Sequence, residues 1–373
     1  MMHKTSILFV IPSLRGGGAE RIVTTLLNHI DRSRFTLAIA VIDSRDAVYR
    51  SDLSADVEFI DLGCTRVLSA LPTIFSLIRK RRPNIVFSTL SHLNLALAIL
   101  RPIFSRNTLF IGRESIVLVE MLKTQKWSLF WRWGYRHYYK KLDLMICQSS
   151  DMRNDLVANF CVPVGKTVVI NNPVDAMRIQ SMMQEPLPED GSFVGNGCFN
   201  LVSAGRLNAQ KGFDLLFQAI ALLNDSRVYL TILGEGALKE SLKTQVINLG
   251  ISKQVRFVGF QRNPYVWFAH ADAFVLSSRY EGFPNVVLEA LACRTPVIAN
   301  PAPGGTWEIL NNIPGCVVSE EISAPALAEA IRSWLVSDRR KIADEAIGPY
   351  SLSNIVSQYE REFDKVIRSG YSN

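Results

Sequence analysis

Glu281 and Glu289 stand eight positions apart in SSRYEGFPNVVLEALACRTPVIAN. Gly282 and Pro284 break the chain after the strand-like AFVLSS, and an Asn followed by apolar periodicity predicts a helix N-cap at Asn285. Glu281 then falls in the loop and Glu289 in about the first helical turn. Unpaired backbone N–H groups at a helix start favour an anion. Two carboxylates framing such a start can accept hydrogen bonds from several hydroxyls of one ligand. A sugar joined to a nucleoside diphosphate carries both features. The same spacing is also compatible with two ordinary acids, one at a loop tip and one near a helix start where acids are stabilised anyway.

Two further groups suit an anion. Arg206 and Lys211, in SAGRLNAQKGFDLL, lie between a strand and a helix. A pair at a strand's C-terminal end points to where α/β domains bind ligands. Arginine forks two phosphate oxygens while lysine supplies a movable point charge. Gly234 and Gly236 in ILGEGALKE form another glycine turn after a strand, with Glu235 expected to face solvent. Near the N-terminus, Gly16, Gly17 and Gly18 separate SILFVIP from the helical AERIVTTLL, so backbone can approach a ligand closely. A dinucleotide fold is the rival, with Asp43 after the second strand as its ribose acid, but IPSLRGGGAER is not G-x-G-x-x-G.

These groups need a scaffold, and the chain's patterning supplies it. Apolar β-branched runs alternate with helical patterns: SILFVIP, TLAIAVI, VEFIDL, NIVFST, TLFIGRE, LDLMICQS and TVVINNPV, with ERIVTTLLNHI, LPTIFSLIRKR, HLNLALAILRPIF and DMRNDLVANF among them. Continuous apolar strands between helices mean parallel sheets covered on both faces. After the loop-like PLPEDGSFVGNGCFN the alternation restarts at NLVSAGR. At 373 residues, 48% hydrophobic and 20% charged, the chain is long enough for two packed domains. The expected fold class is α/β: two doubly wound, Rossmann-like domains facing each other across a crevice. The expected divisions are 1–171, 172–350 and a C-terminal helix, 351–373, packing back on the first domain.

The ordered set G-G-G-A-E-R, G-R-L-x-x-x-K-G, L-G-x-G and E-x7-E resembles the retaining glycosyltransferases of the GT-B fold, family 4, over nearly the whole chain. IPSLRGGGAERIV, NNPV and SRYEGFPNVVLEALACRTPVIA are especially similar to bacterial members that build polysaccharide and O-antigen repeat units on a polyprenyl diphosphate carrier. The resemblance implies that Arg206 and Lys211 hold the diphosphate of a nucleotide-sugar donor, most simply a UDP-sugar. It implies that Glu281 touches the transferred sugar and Glu289 the ribose diol, that the backbone of Phe283, Pro284 and Asn285 lines sugar and phosphate, and that Gly17 approaches the diphosphate from the other domain. Base contacts would come from backbone at 258–260. Many members carry a histidine where this chain has Arg113 and Glu114; His92, in STLSHLN, matches a less central one. His92 and Glu114 are therefore the acid–base candidates. In this family the departing phosphate is thought to assist the incoming hydroxyl, so retention needs no protein base, and Arg206 and Lys211 would stabilise the leaving charge. Neither cofactor nor metal is expected: the chain has no D-x-D near a strand end, and its six cysteines form no CxxC or Cys/His cluster.

Charge is uneven. Residues 1–175 hold 23 Lys and Arg against 14 Asp and Glu, and residues 79–141 hold 13 against only Glu114 and Glu120. The first half therefore expects an anionic partner. Within it, KTQKWSLFWRWGYRHYYKK (123–141) interleaves Trp127, Phe130, Trp131, Trp133, Tyr135, Tyr138 and Tyr139 with six cations. Such a mixture suits an anionic membrane surface, with part of the aromatic set in the core. Single-stranded nucleic acid is the rival partner, but no other feature points to one. No run of 18 apolar residues appears, and the scattered cysteines fit a reducing cytosol. The expected location is the cytoplasmic face of the inner membrane, bound peripherally beside a lipid-linked glycan acceptor. Two other readings share this scaffold: a nucleotide-sugar epimerase, and a non-catalytic nucleotide-sugar-binding partner of a membrane transferase.

Overall fold

The computed structural model describes residues 4–188, 193–195, 197–337 and 342–370. Part of the predicted loop PLPEDGSFVGNGCFN thus lies outside the described residues. The chain divides into two compact units, residues 1–173 with 352–373, and residues 174–351. Both boundaries fall within two residues of the expected ones.

The first unit holds seven parallel strands: β1 (Thr5–Ser13), β2 (Phe35–Asp43), β3 (Glu58–Asp61), β4 (Ile85–Thr89), β5 (Leu109–Arg113), β6 (Leu144–Cys147) and β7 (Thr167–Val169). Their order is β3-β2-β1-β4-β5-β6-β7, so the winding reverses between β1 and β4. Strand β1 explains why the sequence reads as unbroken apolar. Ile7, Phe9 and Ile11 enter one core while Leu8 and Val10 enter the other, so both pleat faces are dry. The first core is closed by the Gly18–His29 helix and by the Leu352–Gly370 helix, which contributes Ile355, Tyr359 and Phe363. The second is closed by the helices Val67–Arg81, Ser91–Leu100 and Ser150–Phe160.

The second unit repeats the plan with β8 (Phe199–Ala204), β9 (Val228–Leu233), β10 (Val255–Gly259), β11 (Ala273–Leu276), β12 (Val297–Ala299) and β13 (Val317–Val318). The order is β10-β9-β8-β11-β12-β13, all parallel, with the reversal between β8 and β11. Ligands of open α/β sheets bind outside the carboxyl ends of the strands at such a reversal. Arg206 follows β8 and Glu281 follows β11, one on each side of it.

One local expectation is corrected. The helix after Glu281 spans Asn285–Ala292, and its N-cap is Pro284, with no side-chain cap hydrogen bond. Pro284 has no N–H to satisfy and its φ of −74° suits entry into a helix. Asn285 is therefore the first helical residue, and Glu289, the fifth, lies one residue deeper than predicted and opens the second turn.

Candidate active site

In the second unit, two loops are bonded into one platform. Gly212, with φ of +62°, brings the β8 loop against the β11 loop so closely that a Cβ there would lie 2.2 Å from the Ser277 carbonyl oxygen. Hydrogen bonds then lace the two together: Arg279 N–H to Gln210 O (2.8 Å), Gln210 Nε2 to Tyr280 O (3.0 Å) and Ser277 Oγ to Lys211 O (2.8 Å). A two-bonded ion pair joins Arg279 to Asp214 (2.8 and 2.6 Å), which lowers the Asp214 pKa.

This lacing sets Lys211 Nζ 2.6 Å from Glu281 Oε1, where Ser278 Oγ also donates at 2.6 Å. Both side chains of the ion pair are enclosed, Lys211 at 19% exposure and Glu281 at 8%. Removing one member of a buried pair costs about 3–5 kcal/mol, because the other is left unpaired. Arg206 is the opposite case: exposed, its guanidinium has no partner among the described residues. Glu289 is buried on the helix behind, at 5% exposure.

A third loop supports the far side. Glu281 N–H donates to Pro303 O and Gly305 N–H to Gly282 O, both at 2.9 Å. Glycine is required at both 304 and 305. A Cβ on Gly304 would lie 2.5 Å from Glu281 O, and one on Gly305 2.2 Å from the Phe283 ring. Phe283 and Pro284 are thereby buried, leaving their backbone as what the loop can present. Gly234 and Gly236 pack on the β8 loop itself, a Cβ at 234 falling 2.0 Å from Gly205 O. They shape the Arg206 loop from below.

The first unit places Gly16, Gly17 and Gly18 at the carboxyl end of β1 and His92 just beyond β4, on the two sides of that sheet's reversal. The glycine loop is not an open anion cradle, however. Glu20 accepts the Gly17 N–H at 2.5 Å with one carboxylate oxygen and the Ser13 hydroxyl with the other. The amide assigned to a phosphate thus has an internal carboxylate partner. His92 keeps solvent access while surrounding protein crowds it, and that burial lowers its pKa below 6.5, so the ring is neutral at pH 7.

Glu114 is withdrawn from the acid–base candidates, because its carboxyl is fully buried. Oε1 accepts from Ser91 Oγ (2.7 Å) and Ser115 N–H (2.9 Å), and Oε2 lies 2.9 Å from the Tyr139 hydroxyl. Burial pushes its pKa up to about 7. Arg113 is equally enclosed, donating to Tyr359 Oη (3.0 Å), Thr89 Oγ1 (3.3 Å) and Asn172 Oδ1 (2.5 Å). Asp43 is closed to a ribose: its two oxygens take four N–H bonds from Arg15 and Arg45, Arg45 holding the carboxyl well below the usual range. The dinucleotide rival loses its acid.

Sequence reasoning missed Ser278, Glu20, the Arg279–Asp214 pair and the 304–305 glycines. Only the last had a readable signal, a Pro-Gly-Gly stretch in the loop that follows the β12 strand.

The chain matches two families, one described as Glycosyltransferase Family 4 over residues 16–178 and one as Glycosyl transferases group 1 over residues 196–348. It is 27% identical over 376 residues to a Campylobacter jejuni enzyme, N-acetylgalactosamine-N,N'-diacetylbacillosaminyl-diphospho-undecaprenol 4-alpha-N-acetylgalactosaminyltransferase, covering 98% of this chain and 97% of that one. A Methanocaldococcus jannaschii glycosyltransferase is 29% identical over 70% of this chain and 65% of its own length. Among solved structures, Anabaena HepE bound to UDP superposes with a TM-score of 0.79 at 17% identity, over 97% of this chain and 100% of that one. A Rickettsia africae glycosyltransferase gives 0.79 at 19%, over 98% and 99%. Two doubly wound parallel sheets with these neighbours are the GT-B fold. The chain is a GT-B glycosyltransferase whose first half matches Glycosyltransferase Family 4 and whose second half matches Glycosyl transferases group 1.

Proposed function

We propose that this enzyme transfers a hexose or N-acetylhexosamine from a nucleoside diphosphate donor, UDP-linked, to a polyprenyl-diphosphate-linked glycan during cell-surface polysaccharide synthesis. The observation that carries the reading is the platform at the β8–β11 reversal. A free guanidinium at Arg206, a second cation at Lys211 and a sugar-facing acid at Glu281 meet there, with Glu289 on the following helix. Arg206 and Lys211 neutralise the charge that grows on the departing diphosphate. With those cations in place, the departing phosphate can take the acceptor's proton on the same face, giving retention. Neutral His92 is suited to accept a hydrogen bond from an acceptor hydroxyl. The Campylobacter relative's diphospho-undecaprenol acceptor supports the acceptor class, and UDP in the HepE complex supports the base.

The Ser128–Tyr138 helix of the first unit supports a membrane-borne acceptor. Tyr135 and Tyr139 turn into the core. Trp127, Leu129, Phe130 and Trp133 are each more than half exposed, and Trp131 is 36% exposed. Apolar side chains of this size amid Lys126, Arg132, Arg136, Lys140 and Lys141 suit the headgroup layer of an anionic membrane, each cation adding roughly 1 kcal/mol. No helix of the described residues is long and apolar enough to cross a membrane, and the reading is peripheral attachment at the cytoplasmic face.

The test is a donor-by-acceptor screen with linkage analysis. Sugar should move only when a lipid-linked acceptor is supplied, and with its anomeric configuration kept. Donor isomerised in the absence of acceptor would favour an epimerase, and wild-type inactivity until another transferase is added would favour a non-catalytic role. Glu289→Ala should weaken donor binding at least tenfold; unchanged affinity for every nucleotide sugar would remove Glu289 from the site.

A further inference from the structure

Of the two cations offered to a diphosphate, only Arg206 is free. Lys211 is held by Glu281 at 2.6 Å, and Glu281 Oε1 also holds Ser278. The acid cannot follow the lysine if it leaves, because its loop is bonded to the 208–212 loop on one side and to 303–305 on the other. A nucleoside diphosphate arriving alone must therefore draw Lys211 away and strand a carboxylate that is 8% exposed, with one hydroxyl donor left. A nucleotide that carries its sugar brings hydroxyl donors that replace the ammonium at Glu281. The cost of recruiting Lys211 thus depends on whether the sugar is present.

We propose that the Lys211–Glu281 pair makes the site discriminate between a sugar-bearing nucleotide and the same nucleotide without its sugar. Glu281 withholds Lys211 from the bare diphosphate and yields it when sugar hydroxyls take its place. After transfer the hydroxyls are gone, Lys211 returns to Glu281, and the spent nucleotide loses a cation and leaves. Ser278 is a positioning residue: its hydroxyl stays bonded to Oε1 when Lys211 leaves that oxygen, and so holds the carboxylate in place for the sugar hydroxyls. This proposal rests on the nucleotide-sugar reading of the site.

Calorimetry on the full chain with UDP, UDP-glucose and UDP-N-acetylglucosamine tests it, with GDP and GDP-mannose as a check on the base. The ratio of free-nucleotide to sugar-nucleotide dissociation constants is the readout. Glu281→Gln should tighten the free nucleotide by about tenfold, since Lys211 no longer has a charged rival, and weaken the sugar nucleotide, collapsing the ratio. Ser278→Ala should move the ratio the other way. Without the hydroxyl, drawing Lys211 off strands Glu281 completely, so the free nucleotide weakens more than the sugar nucleotide. A ratio unchanged in Glu281→Gln, or both ligands weakened equally in Ser278→Ala, overturns the proposal. Should Glu281→Gln not fold, the Ser278→Ala arm decides alone. Wild-type protein binding none of the five nucleotides would instead sink the donor reading.

Discussion

Replacing Glu114 by glutamine should stabilise the protein at pH 8 and leave it nearly unchanged at pH 4.5. The carboxyl is fully buried and its pKa rises from 4.5 to about 7. Below pH 4.5 the folded and unfolded chains both hold the proton, and the side chain's contribution is intact. Between pH 4.5 and 7 the unfolded chain releases the proton while the folded chain keeps it, so stability falls. Above pH 7 the loss is complete, about 3 kcal/mol at 1.36 kcal/mol per pKa unit. The hydrogen-bond geometry agrees with a neutral group. Tyr139 has a single hydroxyl proton but two acceptors in reach, Ser91 O at 3.0 Å and Glu114 Oε2 at 2.9 Å. A protonated Oε2 donates to the phenol oxygen, the phenol donates to Ser91 O, and nothing is left unpaired. Glutamine reproduces this pattern, with Nε2 as donor and Oε1 accepting from Ser91 and Ser115, and it cannot ionise. At roughly 2–4 °C per kcal/mol for a unit of this size, the variant should melt roughly 6–12 °C above the parent at pH 8. Thermal melts of parent and variant from pH 4.5 to 8 measure this. A variant that melts lower at pH 8, or a difference that does not change with pH, would refute the buried-acid argument.

Gly305→Ala should displace Phe283 and the 281–284 loop proposed to line the sugar, raising the donor KM about tenfold, beside an overpacking cost of about 1–3 kcal/mol. Gly165→Ala, whose Cβ meets nothing within 4 Å, is the neutral control, and equal behaviour of the two would dismiss the 303–305 support. Neutralising Lys123, Lys126, Arg132, Arg136, Lys140 and Lys141 together should release the protein from anionic vesicles at low salt while donor affinity stays unchanged. Unaltered partitioning in a flotation assay would place the membrane surface elsewhere.

Strands were the most legible part of the sequence because burial on both faces writes them as unbroken apolar runs, as at residues 7–11. The short helices Ala176–Met182, Tyr265–His270 and Thr306–Leu310 went unread, being too brief for a 3.6-residue period to show. At the site, Arg206, Lys211 and Glu281 were readable because glycines and loop position mark the ends of strands. The pairing of Lys211 with Glu281 was not, since it depends on a contact across 70 residues. Glu114 misled for a related reason. The family resemblance places it and Arg113 where other members carry a histidine, yet their partners here, Asn172, Tyr359, Ser91 and Tyr139, are distant in sequence and draw both charges inside. The aromatic segment divided as tertiary packing dictated, tyrosines inward and tryptophans outward, a choice that helical projection alone leaves open.

The Leu352–Gly370 helix gives the first unit an unusual order of completion. Residues 1–173 emerge from a ribosome with every strand of their sheet, yet the groove that takes Ile355, Tyr359 and Phe363 stays uncovered until the whole second unit has followed. During that interval Arg113 lacks its Tyr359 partner, 246 positions away, and Asp31 N–H lacks Glu360, 329 positions away. The second unit is contiguous and can close its own core first. A nascent chain therefore carries a finished second unit on a half-dressed first one. An apolar groove open for that long is a natural client for a chaperone, and shielding it matters most when translation is slow.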